Sequence, residues 1–148
     1  DEEVAAIYII LILMKTVECD KKNIILLSKL INQNMLFALQ YEDTVKFAAY
    51  RADRVVMSDS RFMDDWALKL RGISLKSTWD ALIVDTSGID PIDGNSLDEM
   101  ILQNEHTEKL KKHFAILEKK AMNERQPRRK WDLAQEIKQL KEQLKGVQ

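Results

Sequence analysis

Six basic side chains stand between residues 119 and 130: Lys119, Lys120, Arg125, Arg128, Arg129 and Lys130, with Glu124 the single acid among them. Ammonium and guanidinium groups at that density suit phosphate oxygens, which supply most of the sequence-independent affinity of proteins for nucleic acid. Trp131 follows directly and offers an indole on which a base or ribose can stack. These seven residues are the candidate contacts for DNA or RNA, or for a partner protein. A plainer reading stands beside that one. Basic residues at a helix C-terminus complement its dipole, and Trp131 then packs against the neighbouring helix end.

The remaining chemistry-bearing residues are sparse. His106 and His113 lie seven apart on one helical stretch, about 10 Å along the axis and too far apart to share a metal ion. Cys19 is the only cysteine. It excludes an internal disulfide or a cysteine-based zinc cluster and suits a reducing cytoplasm. Gly72, Gly88, Gly94 and Gly146 are scattered, so no glycine-rich phosphate loop exists. Asp43, Asp53, Asp59, Asp64 and Asp65 supply carboxylates. No Glu-x-Lys on a strand accompanies them, and aspartates of this kind are ordinary turn residues. No catalytic residue, metal ligand or cofactor is expected.

The basic cluster sits on a stretch with its own architecture. Leu110, Phe114, Leu117 and Ala121, then Leu133, Ile137, Leu140 and Leu144, each follow 4-3-4 spacing, the seam of a helix packed along one partner. A single continuous helix would carry that seam through Glu124, Arg125 and Arg128, and Pro127 would break it. Folded back near residue 127, the two sets coincide. The spacing predicts an antiparallel helical hairpin (a short coiled coil) with the basic cluster at its tip. Leu133, Ile137, Leu140 and Leu144 make only a narrow stripe, and Ile116, Met100, Ile101 and Trp131 lie off it. Either the β-α-β-β unit or a second chain can cover them, the latter as a homodimer through the hairpins.

Upstream, Val4 to Met14 is an unbroken run of eleven apolar residues, too short for the roughly 20 of a membrane helix. Acidic Asp1-Glu2-Glu3 precedes it where a secretory signal is basic. It is expected as a strand in the middle of a covered sheet, entered so early that a further N-terminal region is expected before it. Asp20 caps a helix to about Asn32 that buries Ile24, Leu27, Leu30 and Ile31. Met35–Tyr41 and Val45–Arg51 form a strand hairpin, Arg54–Met57 a fourth strand, and Trp66–Ile73 either a strand or an extended segment. Ser77 or Thr78 opens a helix that buries Trp79, Leu82 and Ile83 and ends before Gly88. Ser96 and Glu99 make a capping box for the long helix that follows. The fold class is α+β: a small mixed sheet with a β-α-β-β core and covering helices over residues 1–89, a linker at 90–95, and the hairpin at 96–148.

The charge divides along the same line. Residues 1–95 carry 11 Lys/Arg against 15 Asp/Glu, and residues 96–148 carry 12 against 9, so the hairpin is the basic part of a chain whose net charge is -1.

Leu117-Glu118-Lys119-Lys120-Ala121, then Glu124-Arg125-Gln126 and Arg129-Lys130, with Leu133, Glu136-Ile137 and Leu140-Lys141 beyond, resemble a signature of the bacterial family called domain of unknown function 4391. The strand-helix-strand-strand order of residues 4–51 and Trp66 are similar to the same family. Pro127 departs from its usual turn. The resemblance implies a terminal hairpin, a further N-terminal region in full-length members, and a genomic setting with helicases and DNA methyltransferases of restriction-type systems. It implies no catalytic residues. The expected function is that of a non-enzymatic accessory or assembly protein of a DNA-processing or defence system, with a helicase or methyltransferase as partner and the hairpin tip as contact arm. Two alternatives remain: a nuclease-like enzyme completed by an N-terminal region, and a purely structural homodimerisation module.

Overall fold

The computed structural model describes residues 4–89 and 94–146. The chain divides into two compact units, residues 1–101 and 102–148. Most of the expected linker at 90–95 lies outside the described residues.

The first unit is built on a mixed sheet. Its strands are β1 (Ile7–Leu13), β2 (Asn34–Tyr41), β3 (Thr44–Arg51), β4 (Arg54–Met57) and the two-residue β5 (Arg61–Phe62). The spatial order is β1-β2-β3-β4. β1 runs parallel to β2, with Ile9 opposite Leu36 and Leu11 opposite Ala38, whereas β3 is antiparallel to β2 and β4. A parallel pair needs a crossover, and α1 (Lys21–Ile31) supplies it. Asp20 caps α1 by accepting the Lys22 amide at 2.9 Å, and Asn32 closes it in the left-handed conformation.

The β2–β3 turn is Glu42-Asp43, and β3 reverses into β4 through Ala52 and Asp53, both with positive φ. Two successive left-handed residues twist a hairpin in the sense its strands require. β4 then breaks off. Ser58 bonds both ways to Phe47, donating its amide to the carbonyl and accepting the Phe47 amide on Oγ. β5 resumes pairing with Thr44 and Val45 further along β3.

Both faces of the central strands are buried. On one side Leu36, Ala38, Val45, Phe47, Ala49 and Val56 pack with Trp79, Leu82 and Ile83 of α2 (Leu75–Ser87) and with Ile101. On the other, Met35, Phe37, Leu39 and Ala48 pack with Ile24 of α1. Trp66 closes the edge of the first core. Its Nε1–H donates to the Val45 carbonyl at 2.8 Å, its ring meets Phe47 edge-on at 4.8 Å, and the Arg61 guanidinium lies 4.7 Å from its centroid. Arg51 at the end of β3 forms ion pairs with Asp80 of α2 and with Asp98 in the first turn of α3 (Leu97–Asn123). Burial opposes its charge, but hydrogen bonds and the charges of Asp80 and Asp98 outweigh it and hold the Arg51 pKa above its ordinary value.

Three sequence expectations are corrected here. β1 is an edge strand, not a central one: Ile9, Leu11 and Leu13 are 54%, 59% and 73% exposed, and among the described residues only β2 pairs with it. Its apolar character reflects the partial cover of Ile10 and Ile12 by the α1 side of the core. Leu30 and Ile31 are exposed, because α1 meets the sheet through Ile24, Leu27 and Ser28. α2 opens at Leu75 instead of Ser77 or Thr78. Ser74 is the cap, and Ser77 takes the place of the usual Glu or Gln in a capping box, its Oγ accepting the Ser74 amide at 3.0 Å.

The second unit is the helical pair of α3 beyond residue 101 and α4 (Pro127–Lys145). The capping box expected at the start of α3 is formed, with Glu99 accepting the Ser96 amide at 2.9 Å and Ser96 accepting the Glu99 amide at 3.3 Å. Leu117 and Leu140 are buried, and Leu110, Phe114, Ala121, Leu133, Ile137 and Leu144 are half-buried among mostly exposed neighbours.

Candidate nucleic-acid interface

Three residues, 124–126, connect α3 to α4. The bend is set locally. Glu124 turns back to accept the Gln126 amide at 2.9 Å, and Pro127 takes the first position of α4, where its missing N–H would have had no helical partner anyway. Gln126 caps α4 without a side-chain hydrogen bond, and the first turn holds no acid.

This turn decides the meaning of the basic residues. Lys120 lies in the last turn of α3, where its charge complements the helix dipole. Arg128, Arg129 and Lys130 lie in the first turns of α4, where the dipole opposes them. Helix complementarity therefore accounts for Lys120 and not for these three. All six basic side chains are exposed, and none has an ion-pair partner among the described residues. Trp131 is 63% exposed, so it does not pack against the hairpin end. The tip is a concentration of solvated, mutually repelling cations with an open indole beside it.

The seven candidate residues do not form one cluster. A groove of about 770 Å³ runs along one face of the helical pair. Lys119 and Lys120 line it from α3 with Ile116, and Arg129 lines it from α4 with Asp132, Leu133 and Glu136. Arg125, Arg128, Lys130 and Trp131 do not line it. Trp131 precedes Leu133 by two residues, about 200° around the helix, so it faces away from the groove. The groove acids Asp132 and Glu136 escaped the sequence reading, which paired only the apolar seam of the two helices.

The other chemical groups stay apart. His106 is exposed, and His113 Nε2 lies 3.9 Å from Glu136. Cys19 is half-buried, its thiol directed to the Asp20 carbonyl at 3.7 Å. Asp43 and Asp53 occupy hairpin turns, with Asp53 accepting the Tyr50 hydroxyl at 2.9 Å. Asp59 follows β4, and Asp64 and Asp65 sit in a single 3₁₀ turn. Among the described residues no three His, Cys, Asp or Glu side chains are grouped to hold a metal ion, and no helix is long and apolar enough to cross a membrane.

A family model described as a domain of unknown function, DUF4391, matches residues 1–144. Neither the curated proteins nor the solved structures contain a match.

Proposed function

From the premise that the chain belongs to the DUF4391 family, we propose that it is a non-enzymatic accessory protein that contacts nucleic acid through the tip of its helical hairpin. The observation that carries this reading is the first turn of α4. Arg128 and Lys130 stand there exposed, off the groove and without ion-pair partners among the described residues, against the dipole of their own helix, with Arg125 in the turn just before them. A phosphodiester backbone relieves that repulsion. Arginine adds a planar fork that takes two phosphate oxygens at once. Arg125, Arg128 and Lys130 are the phosphate contacts in this reading, and Trp131 is the stacking platform beside them. A machine containing a helicase or DNA methyltransferase, as the sequence resemblance implies, is the setting in which such an arm acts.

The test is binding of the purified chain to labelled single-stranded and duplex DNA across a salt series, repeated with the R125E/R128E/K130E variant. Binding that weakens with salt and is lost in the variant supports the arm. No binding of either DNA at low salt removes the function.

A further inference from the structure

The groove on the hairpin poses a different problem from the tip. Two helices alone cannot enclose an apolar stripe, and here only Leu117 and Leu140 of the seam are buried. Ile116, on the groove floor, is 54% exposed. The groove walls are charged in an ordered way. Lys119 and Lys120 come from α3, and Asp132 and Glu136 from α4; nearer the tip the signs exchange, with Glu124 on the α3 side and Arg129 on the α4 side. The groove thus holds three positive and three negative residues, which excludes a strongly charged ligand and favours one with the complementary alternation.

We infer that this groove receives the same groove of a second copy of the chain, the two ribbons facing each other across a two-fold axis parallel to their length. That rotation sets α3 of one copy over α4 of the other. Lys119 and Lys120 then meet Asp132 of the opposite copy, Glu124 approaches Arg129, Glu136 comes level with His113, and the two Ile116 floors close against one another as the core of a four-helix bundle. A two-fold perpendicular to the ribbon length sets α3 over α3 and opposes lysine to lysine. The charge pattern selects the first arrangement, which brings both tips to one end.

The size is adequate. The 19 residues of α4 make a ribbon about 28 Å long and about 20 Å wide, on the order of 1,100 Å² buried over both copies, against the roughly 1,000 Å² a specific interface needs. The inference is independent of nucleic-acid binding, since Arg125, Arg128, Lys130 and Trp131 lie outside the groove.

Light scattering and sedimentation of the purified chain test it. The expected mass is twice 17.2 kDa. Two charge variants, K119E/K120E and D132K/E136K, each oppose like charges in the homodimer and are expected to weaken it at least about 100-fold. Mixed in equal amounts they restore every pair and give a heterodimer. I116D, at an exposed position that leaves the hairpin intact by circular dichroism, is expected to give a monomer and decides the matter if either charge variant unfolds. A wild-type monomer at about 50 μM, where an interface of this size is expected to be populated, overturns the inference. So does a dimer that survives I116D, because its interface then lies elsewhere.

Discussion

The salt dependence of DNA binding can be worked out in advance from the tip. Three side chains, Arg125, Arg128 and Lys130, are exposed, lie off the groove and have no ion-pair partner among the described residues. Each phosphate contact on duplex DNA contributes about −0.9 to the slope of log K against log salt, so one tip gives about −2.7. Between 50 and 200 mM salt that slope weakens binding about 40-fold. Two tips at one end of a dimer double the slope to about −5.4 and the loss to about 2,000-fold over the same interval. Fluorescence anisotropy with a labelled duplex measures both, and the slope counts the tips engaged. R125E/R128E/K130E is expected to abolish salt-sensitive binding while leaving the helical signal in circular dichroism unchanged. A slope near zero in the wild type, or an unchanged slope in the variant, refutes the assignment of phosphate contacts to these three residues.

Three further outcomes concern the scaffold. Arg51→Met strands Asp80 and Asp98, both partly solvated, and should lower stability by about 1–2 kcal/mol in urea unfolding followed by tryptophan fluorescence; an unchanged midpoint would show that the pairs contribute nothing. Leu82→Ala removes a side chain that is 0% exposed between α2 and the sheet and should cost about 2–5 kcal/mol. A loss below about 1 kcal/mol would mean the core repacks around it. Ala52→Asn replaces a residue at φ 49° with one that tolerates the left-handed conformation, and a gain of about 0.5–1 kcal/mol is expected. A loss would mean the Ala52-Asp53 turn is not the one described.

The elements readable in the sequence were those whose cause is local. The seam at Leu110, Phe114, Leu117 and Ala121, its second half from Leu133, and Pro127 between them specify a hairpin, because periodicity and a helix breaker act within a few residues of themselves. Asp20 and the Ser96–Glu99 box were legible for the same reason. The position of β1 was not. A run such as Ile-Tyr-Ile-Ile-Leu-Ile-Leu reports that both faces are apolar, but which strands flank it depends on the order of the sheet, a long-range property. Helical spacing likewise puts Leu30 and Ile31 on the inner side of α1, yet cannot say where the sheet stops. Ser77 misled because its hydroxyl acts as a partner of the Ser74 cap, a role more often filled by Glu or Gln. At the candidate site, the basic tip could be read from composition alone. Its division is partly local, since Arg129, Asp132 and Glu136 share a face of α4 at i, i+3 and i+7 while Trp131 points elsewhere, and only the placing of Lys119 and Lys120 beside that face takes the folded pair.

The two margins of the sheet differ in length, and that difference decides where a foreign strand can add. On one side β1 offers seven consecutive uncharged residues and no proline, so among the described residues neither charge nor proline guards it against a foreign strand. On the other, the pairing along β3 is interrupted at Ser58 between β4 and β5. A strand from outside finds a seven-residue template at β1 and only the four residues of β4 at the far margin. Edge-to-edge association through the sheet is therefore directed to β1.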